Sequence, residues 1–126
     1  MSCLFNSISH FIQNTSGPNV RYQICEYLSE NKVVISGIDT HELLEIIEKN
    51  YINNMKQLSK WGGGIEIQTA CNIWNLCIVV LDIRKDEHIS IVFKPIDPNT
   101  NIENSKIHIT WNGFHYEPIE EHIHTT

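Results

Sequence analysis

The chain has 126 residues, 41% hydrophobic and 19% charged, a composition that suits one globular domain and not a disordered tract. Its net charge of −6, with no short window rich in Lys or Arg, argues against binding to a nucleic-acid backbone. No apolar run is long enough to span a bilayer, and the start lacks the basic and apolar regions of a signal peptide. An intracellular, cytoplasmic protein without a membrane partner is the expectation, and its cysteines, Cys3, Cys25, Cys71 and Cys77, should stay reduced.

Leu4, Phe5, Ile8, Phe11 and Ile12 recur at helical spacing, so the chain opens with a helix that carries Cys3 in its first turn. A turn-rich stretch from Asn14 to Asn19 separates it from a second helix, marked by Val20, Ile24, Tyr27 and Leu28. The β-branched segment Lys32–Ser36 reads as a short strand ended by Gly37. Asp39 or Thr40 caps a third helix with Leu43, Leu44, Ile46, Ile47 and Tyr51 on its apolar face, extending to Met55. Trp61-Gly62-Gly63-Gly64 interrupts regular structure. Ile67, Ala70, Cys71 and Trp74 then mark a fourth helix that Asn75 stops.

The second half reads as strands. Ile78-Val79-Val80-Leu81 is continuously apolar, as in a strand covered on both faces. His88–Phe93 is a second strand, and Asp97-Pro98-Asn99 is a turn. Ile107, Ile109 and Trp111 alternate with polar residues in a third strand. Asn112-Gly113 turns the chain into a last short strand over His115–Ile119, and His122 and His124 fall in a tail. The expected fold class is α/β, α+β-like: a small mixed β-sheet flanked by helices, as one domain over residues 1–126.

Cys3 and His115 are the residues with the most to offer chemically. A thiol attacks as thiolate, a form favoured by the positive end of a helix and by a neighbouring imidazolium. A histidine within hydrogen-bond reach also protonates the leaving amine, and it needs a third group to hold its tautomer. On an extended strand Glu117 would share a face with His115, and Asn112 is the other candidate, across the turn. Taken singly, a free Cys such as Cys3 is more often a small core residue than a nucleophile, and Glu117 reads as a solvated strand residue. Cys25, Cys71 and Cys77 fall at apolar positions and read as packing. No Cys-x-x-Cys pair exists and no His-x-x-x-His lies on a helix, so no metal is expected, His122-x-His124 notwithstanding. The glycine run matches neither the P-loop nor the dinucleotide fingerprint, and no cofactor is expected.

Taken together, these residues resemble a known set. Cys3-Leu4-Phe5 opening a helix resembles the nucleophile segment of the ovarian tumour (OTU) cysteine proteases, as does Val20-Arg21 in the second helix. Tyr51-Ile52-Asn53-Asn54-Met55, then Trp61-Gly62-Gly63-x-Ile65-Glu66-Ile67-Gln68-x-Ala70, then Ile78-Val79-Val80, is similar to that family's middle block. Gly113-Phe114-His115-Tyr116 resembles its catalytic histidine motif. The resemblance implies a papain-like OTU fold and a thiol-dependent hydrolase of isopeptide bonds to ubiquitin or ubiquitin-like modifiers, with those conjugates as partners. It makes Cys3 the nucleophile, His115 the general base and acid, and Glu117 the orienting group, where the family usually has Asp or Asn. Trp61, Gly62, Gly63 and Phe114 would bind substrate, the glycines leaving a channel that suits a Gly-Gly tail. Stand-alone versions of such domains in viruses and intracellular bacteria imply a host cytoplasm as one setting.

The front of the chain departs from the pattern. The family reads Asp-Gly-x-Cys, and only Met1 and Ser2 precede Cys3. The missing loop presents N–H groups to the developing oxyanion, where the loss of one donor typically costs about 10²–10³ in rate. Three expectations stay open here: a sequence that starts late relative to the functional protein, an enzyme for which Met1 and Ser2 suffice, or a degenerate module that binds ubiquitin without cutting. The remaining alternative is an unrelated α/β interaction domain in which cysteine and histidine never meet.

Overall fold

A computed structural model describes residues 3–97 and 106–119. Met1, Ser2, the Pro98-Asn99 turn, His122 and His124 lie outside the described residues. Five helices precede four strands: α1 (Cys3–Ser9), α2 (Gly17–Ser29), α3 (Thr40–Ile47), α4 (Tyr51–Met55), α5 (Gly64–Trp74), β1 (Cys77–Asp82), β2 (Ile89–Phe93), β3 (Lys106–Trp111) and β4 (Tyr116–Pro118). The strands form one mixed sheet in the order β2-β1-β3-β4. β1 pairs antiparallel with β2 and parallel with β3, and β3 pairs antiparallel with β4.

Local chemistry explains the boundaries. Ser16 caps α2 by accepting the Asn19 N–H, and Asp39 caps α3 by accepting that of Glu42. Asn75 ends α5 in the left-handed region, with φ at 54°. The core is the meeting of helix stripes with alternate strand residues. Leu4, Phe5 and Ile8 of α1, Val20, Ile24 and Leu28 of α2, and Ile67 and Ala70 of α5 cluster with Ile78, Val80, Ile107 and Ile109. Cys77 and Val79 are buried outside that cluster, so β1 is covered on both sides, as its continuous apolar run predicts.

Four expectations need correction. Lys32–Ser36 forms no strand. Side chains take its backbone groups instead: Thr40 Oγ1 donates to Lys32 O and accepts from Val34 N–H, Asn72 Nδ2 donates to Val33 O and Val34 O, and Tyr27 O–H donates to Val33 O. The third helix does not run to Met55. Glu48 is extended and Asn50 left-handed, with φ at 60°, so the segment splits into α3 and α4. Gly64 belongs to α5 and not to the break before it. His115 sits one residue before the last strand, because Asn112 folds the turn around itself. Its Oδ1 accepts from the N–H groups of Phe114 and His115, at 2.9 Å and 2.8 Å.

Candidate active site

Cys3 is the first described residue of α1 and is half-buried. Helix α1 packs against α2 and against β4. That packing brings together residues 113 positions apart in sequence: the Tyr116 N–H donates to Cys3 Sγ at 3.4 Å. The ends of the described chain therefore meet through the first amide of β4, next to His115. Burial pushes the Tyr116 phenol up, with the nearby Cys3 and Glu66 contributing in the same direction.

The Trp61-Gly62-Gly63 segment completes the arrangement. The Trp61 ring lies 6.0 Å from the His115 ring, tilted by 31°. A Cβ on Gly62 would fall 2.8 Å from Leu4 Cδ2 and 2.9 Å from Phe5 Cζ, so this backbone passes directly over the helix that carries Cys3. A Cβ on Gly63 would meet nothing within 4 Å, so space opens on that side. Trp61 and Phe114 present apolar surface to solvent, at 42% and 67% exposure. Contacts thus link Cys3 to Tyr116, Trp61 to His115, and the backbone at Gly62 to α1.

The orienting candidates fare differently. The side-chain oxygen of Asn112 is engaged by its own turn. Glu117 is exposed on β4, opposite Thr110 of β3. Because His115 precedes the strand, the same-face argument linking it to Glu117 does not apply directly.

Beneath the site lies a buried polar framework that the sequence reading did not assign. Arg21, only 2% exposed, donates through Nη1 to Met55 O at 2.7 Å and through Nη2 to Lys60 O at 2.8 Å. Its guanidinium stands 4.2 Å over the Phe5 ring. Glu66, 1% exposed, accepts the Gly63 N–H on Oε1 at 2.7 Å and the Tyr51 O–H on Oε2 at 2.6 Å. The first of these bonds is half of a capping box, since glycine has no side chain to return it. The signal was present: Arg21, Ile24, Cys25 and Leu28 share one helix face, as do Glu66, Ala70 and Ile73. A charge on an apolar stripe marks a buried, partnered group.

The other three thiols are buried. Burial pushes Cys25 up to about 11 and Cys71 up to about 12. Among the described residues, no group of His, Cys, Asp and Glu could hold a metal ion.

A family model described as OTU-like cysteine protease matches residues 2–116. A comparison with curated proteins found no match. Among solved structures, the chain is similar to the OTU domain of OTUD1, with a TM-score of 0.70 at 14% identity, covering 95% of this chain and 79% of that one. It is similar to an OTU domain in complex with ubiquitin, with a TM-score of 0.66 at 25% identity, covering 93% of this chain and 62% of that one. It is also similar to an OTU deubiquitinase from Wolbachia pipientis wMel bound to ubiquitin, with a TM-score of 0.64 at 15% identity, covering 94% of this chain and 89% of that one.

Proposed function

The chain belongs to the OTU-like cysteine proteases, and on that premise we propose that it hydrolyses isopeptide bonds to ubiquitin or a ubiquitin-like modifier. The observation that carries this reading is the contact of Cys3 Sγ with the Tyr116 N–H, which sets the thiol beside the residue that follows His115. Two solved OTU structures similar to this chain are bound to ubiquitin, which supports the choice of substrate.

In this reading Cys3 and His115 act as a thiolate–imidazolium pair. The thiolate adds to the carbonyl carbon of the modifier's C-terminal glycine. The tetrahedral adduct collapses, the C–N bond breaks, and the leaving lysine amine takes its proton from His115. A thioester to Cys3 remains. Water then attacks this carbonyl while passing a proton to His115. The C–S bond breaks, the carboxylate departs, and the pair is regenerated. Glu117 orients the imidazole, a role that Asn112 is poorly placed to share because its oxygen already serves the turn. Trp61 and Phe114 flank the substrate's C-terminal tail, and the space beside Gly63 lets an extended Gly-Gly segment approach.

The test is hydrolysis of ubiquitin bearing a C-terminal fluorogenic amide, run beside the same substrate built on ubiquitin-like modifiers. Turnover that vanishes in Cys3→Ala and His115→Ala supports the reading. Binding of ubiquitin without turnover would leave a recognition module in place of an enzyme.

A further inference from the structure

We propose that Arg21 and Glu66 are positioning residues for the Cys3–His115 pair, acting as a two-ended clamp on the Trp61-Gly62-Gly63 segment; the inference rests on the protease reading and deepens it. Each side chain grips the chain immediately beside or at one end of that segment. Arg21 accounts for the upstream end. Its fork takes the carbonyls of Met55 and Lys60, with Leu58 O a weaker third partner at 3.4 Å, and so ties the turn after α4 to α2. Lys60 is the residue directly before Trp61. Glu66 accounts for the downstream end by holding the Gly63 amide, and it is itself steadied by the Tyr51 O–H from α4.

Between the two grips, each residue of the segment bears on the reacting pair. Trp61 faces the His115 ring, and Gly62 lies against Leu4 and Phe5, the neighbours of Cys3 in α1. Phe5 is also the ring beneath the Arg21 guanidinium, so the upstream grip touches the cysteine helix directly. Apolar residues at these two positions could fill the space, but they could not hold backbone carbonyls at one end and an amide at the other. Misplacing reacting groups by about 1 Å, even from a distance, can cost roughly 10²-fold in rate.

The experiment measures alkylation of Cys3 by iodoacetamide, by mass spectrometry, in the whole chain and in Arg21→Lys, Glu66→Ala and Glu66→Gln. Rates are expressed per folded molecule, with folding followed by near-UV circular dichroism. Lys replaces the fork by a point charge, and Ala releases the Gly63 amide, so both should slow alkylation by about 10- to 100-fold. Gln keeps one carbonyl oxygen for that amide and should recover most of the loss. On a ubiquitin C-terminal amide the same variants should lower kcat and leave KM within about threefold. Equal alkylation rates in wild type and in folded Glu66→Ala would overturn the clamp, as would a wild-type Cys3 no more reactive than an ordinary thiol. If Arg21→Lys does not fold, the Ala–Gln contrast at position 66 decides alone. A wild-type chain that leaves ubiquitin amides uncut, while the alkylation series keeps its order, would remove the substrate and keep the clamp.

Discussion

Two glycines two residues apart should respond differently to alanine, one losing stability and the other keeping or gaining it. At Gly62 a Cβ would lie 2.8 Å from Leu4 Cδ2 and 2.9 Å from Phe5 Cζ. A comfortable carbon–carbon contact needs about 3.5–4.0 Å, so roughly half an ångström or more must be found. Neither side chain can yield readily, because Leu4 and Phe5 are 1% and 0% exposed and Phe5 is held under Arg21. Overpacking of this kind costs about 1–3 kcal/mol. Gly64, the first residue of α5, meets nothing within 4 Å of an added Cβ. Alanine there restricts the unfolded chain and should stabilise by up to about 1 kcal/mol. In urea unfolding, with a slope of about 1–3 kcal/mol/M for a small domain, Gly62→Ala should lower the midpoint by roughly 0.5–1.5 M and Gly64→Ala should leave it level or raise it. Gly62→Ala should also slow Cys3 alkylation, since α1 is what it pushes. A Gly62→Ala midpoint at or above wild type, or a Gly64→Ala loss of the same size, would refute the close approach of this backbone to α1.

Burial holds the Glu66 carboxyl above its ordinary value near 4.5, while the bonds from Tyr51 and Gly63 and the charge of Arg21 act the other way. The folded state keeps that proton where the unfolded state has lost it, so this group's contribution to stability falls as pH rises above about 4.5. The stability of wild type minus that of Glu66→Gln, measured by urea unfolding across the acid-to-neutral range, should therefore decline with rising pH; a rise would contradict the assignment. Limited iodoacetamide treatment at mildly alkaline pH should mark Cys3 first, because Cys25, Cys71 and Cys77 are buried, and a first adduct on any of those three would count against the site. Glu117→Ala should slow hydrolysis by more than about tenfold if it orients His115, whereas unchanged kcat would return Glu117 to the role of a solvated strand residue.

The fold was legible wherever apolar periodicity was strong. The i, i+4, i+7 stripe of α2 and the alternation of Ile107 and Ile109 lie where the pattern puts them. Legibility failed where side chains replaced backbone partners. Nothing in β-branched Lys32–Ser36 announces that Thr40 and Asn72 will take its carbonyls, and extended Glu48 with left-handed Asn50 divides an apolar pattern that reads as one helix. At the site, Cys3, His115 and Trp61 stood out by type and motif. Their juxtaposition needed the packing of α1 on β4, which no local pattern encodes. Arg21 and Glu66 were visible as charges on apolar stripes, yet what each one holds, the carbonyls of Met55 and Lys60 and the amide of Gly63, emerges only from the tertiary path of the chain.

The most direct test of the protease account is covalent capture: ubiquitin ending in a C-terminal electrophile, incubated with the whole chain and mapped by peptide mass spectrometry. The account predicts one adduct, on Cys3, lost in Cys3→Ala and strongly slowed in His115→Ala. An adduct on Cys25, Cys71 or Cys77, or a Cys3 adduct that forms equally fast without the His115 imidazole, would contradict it.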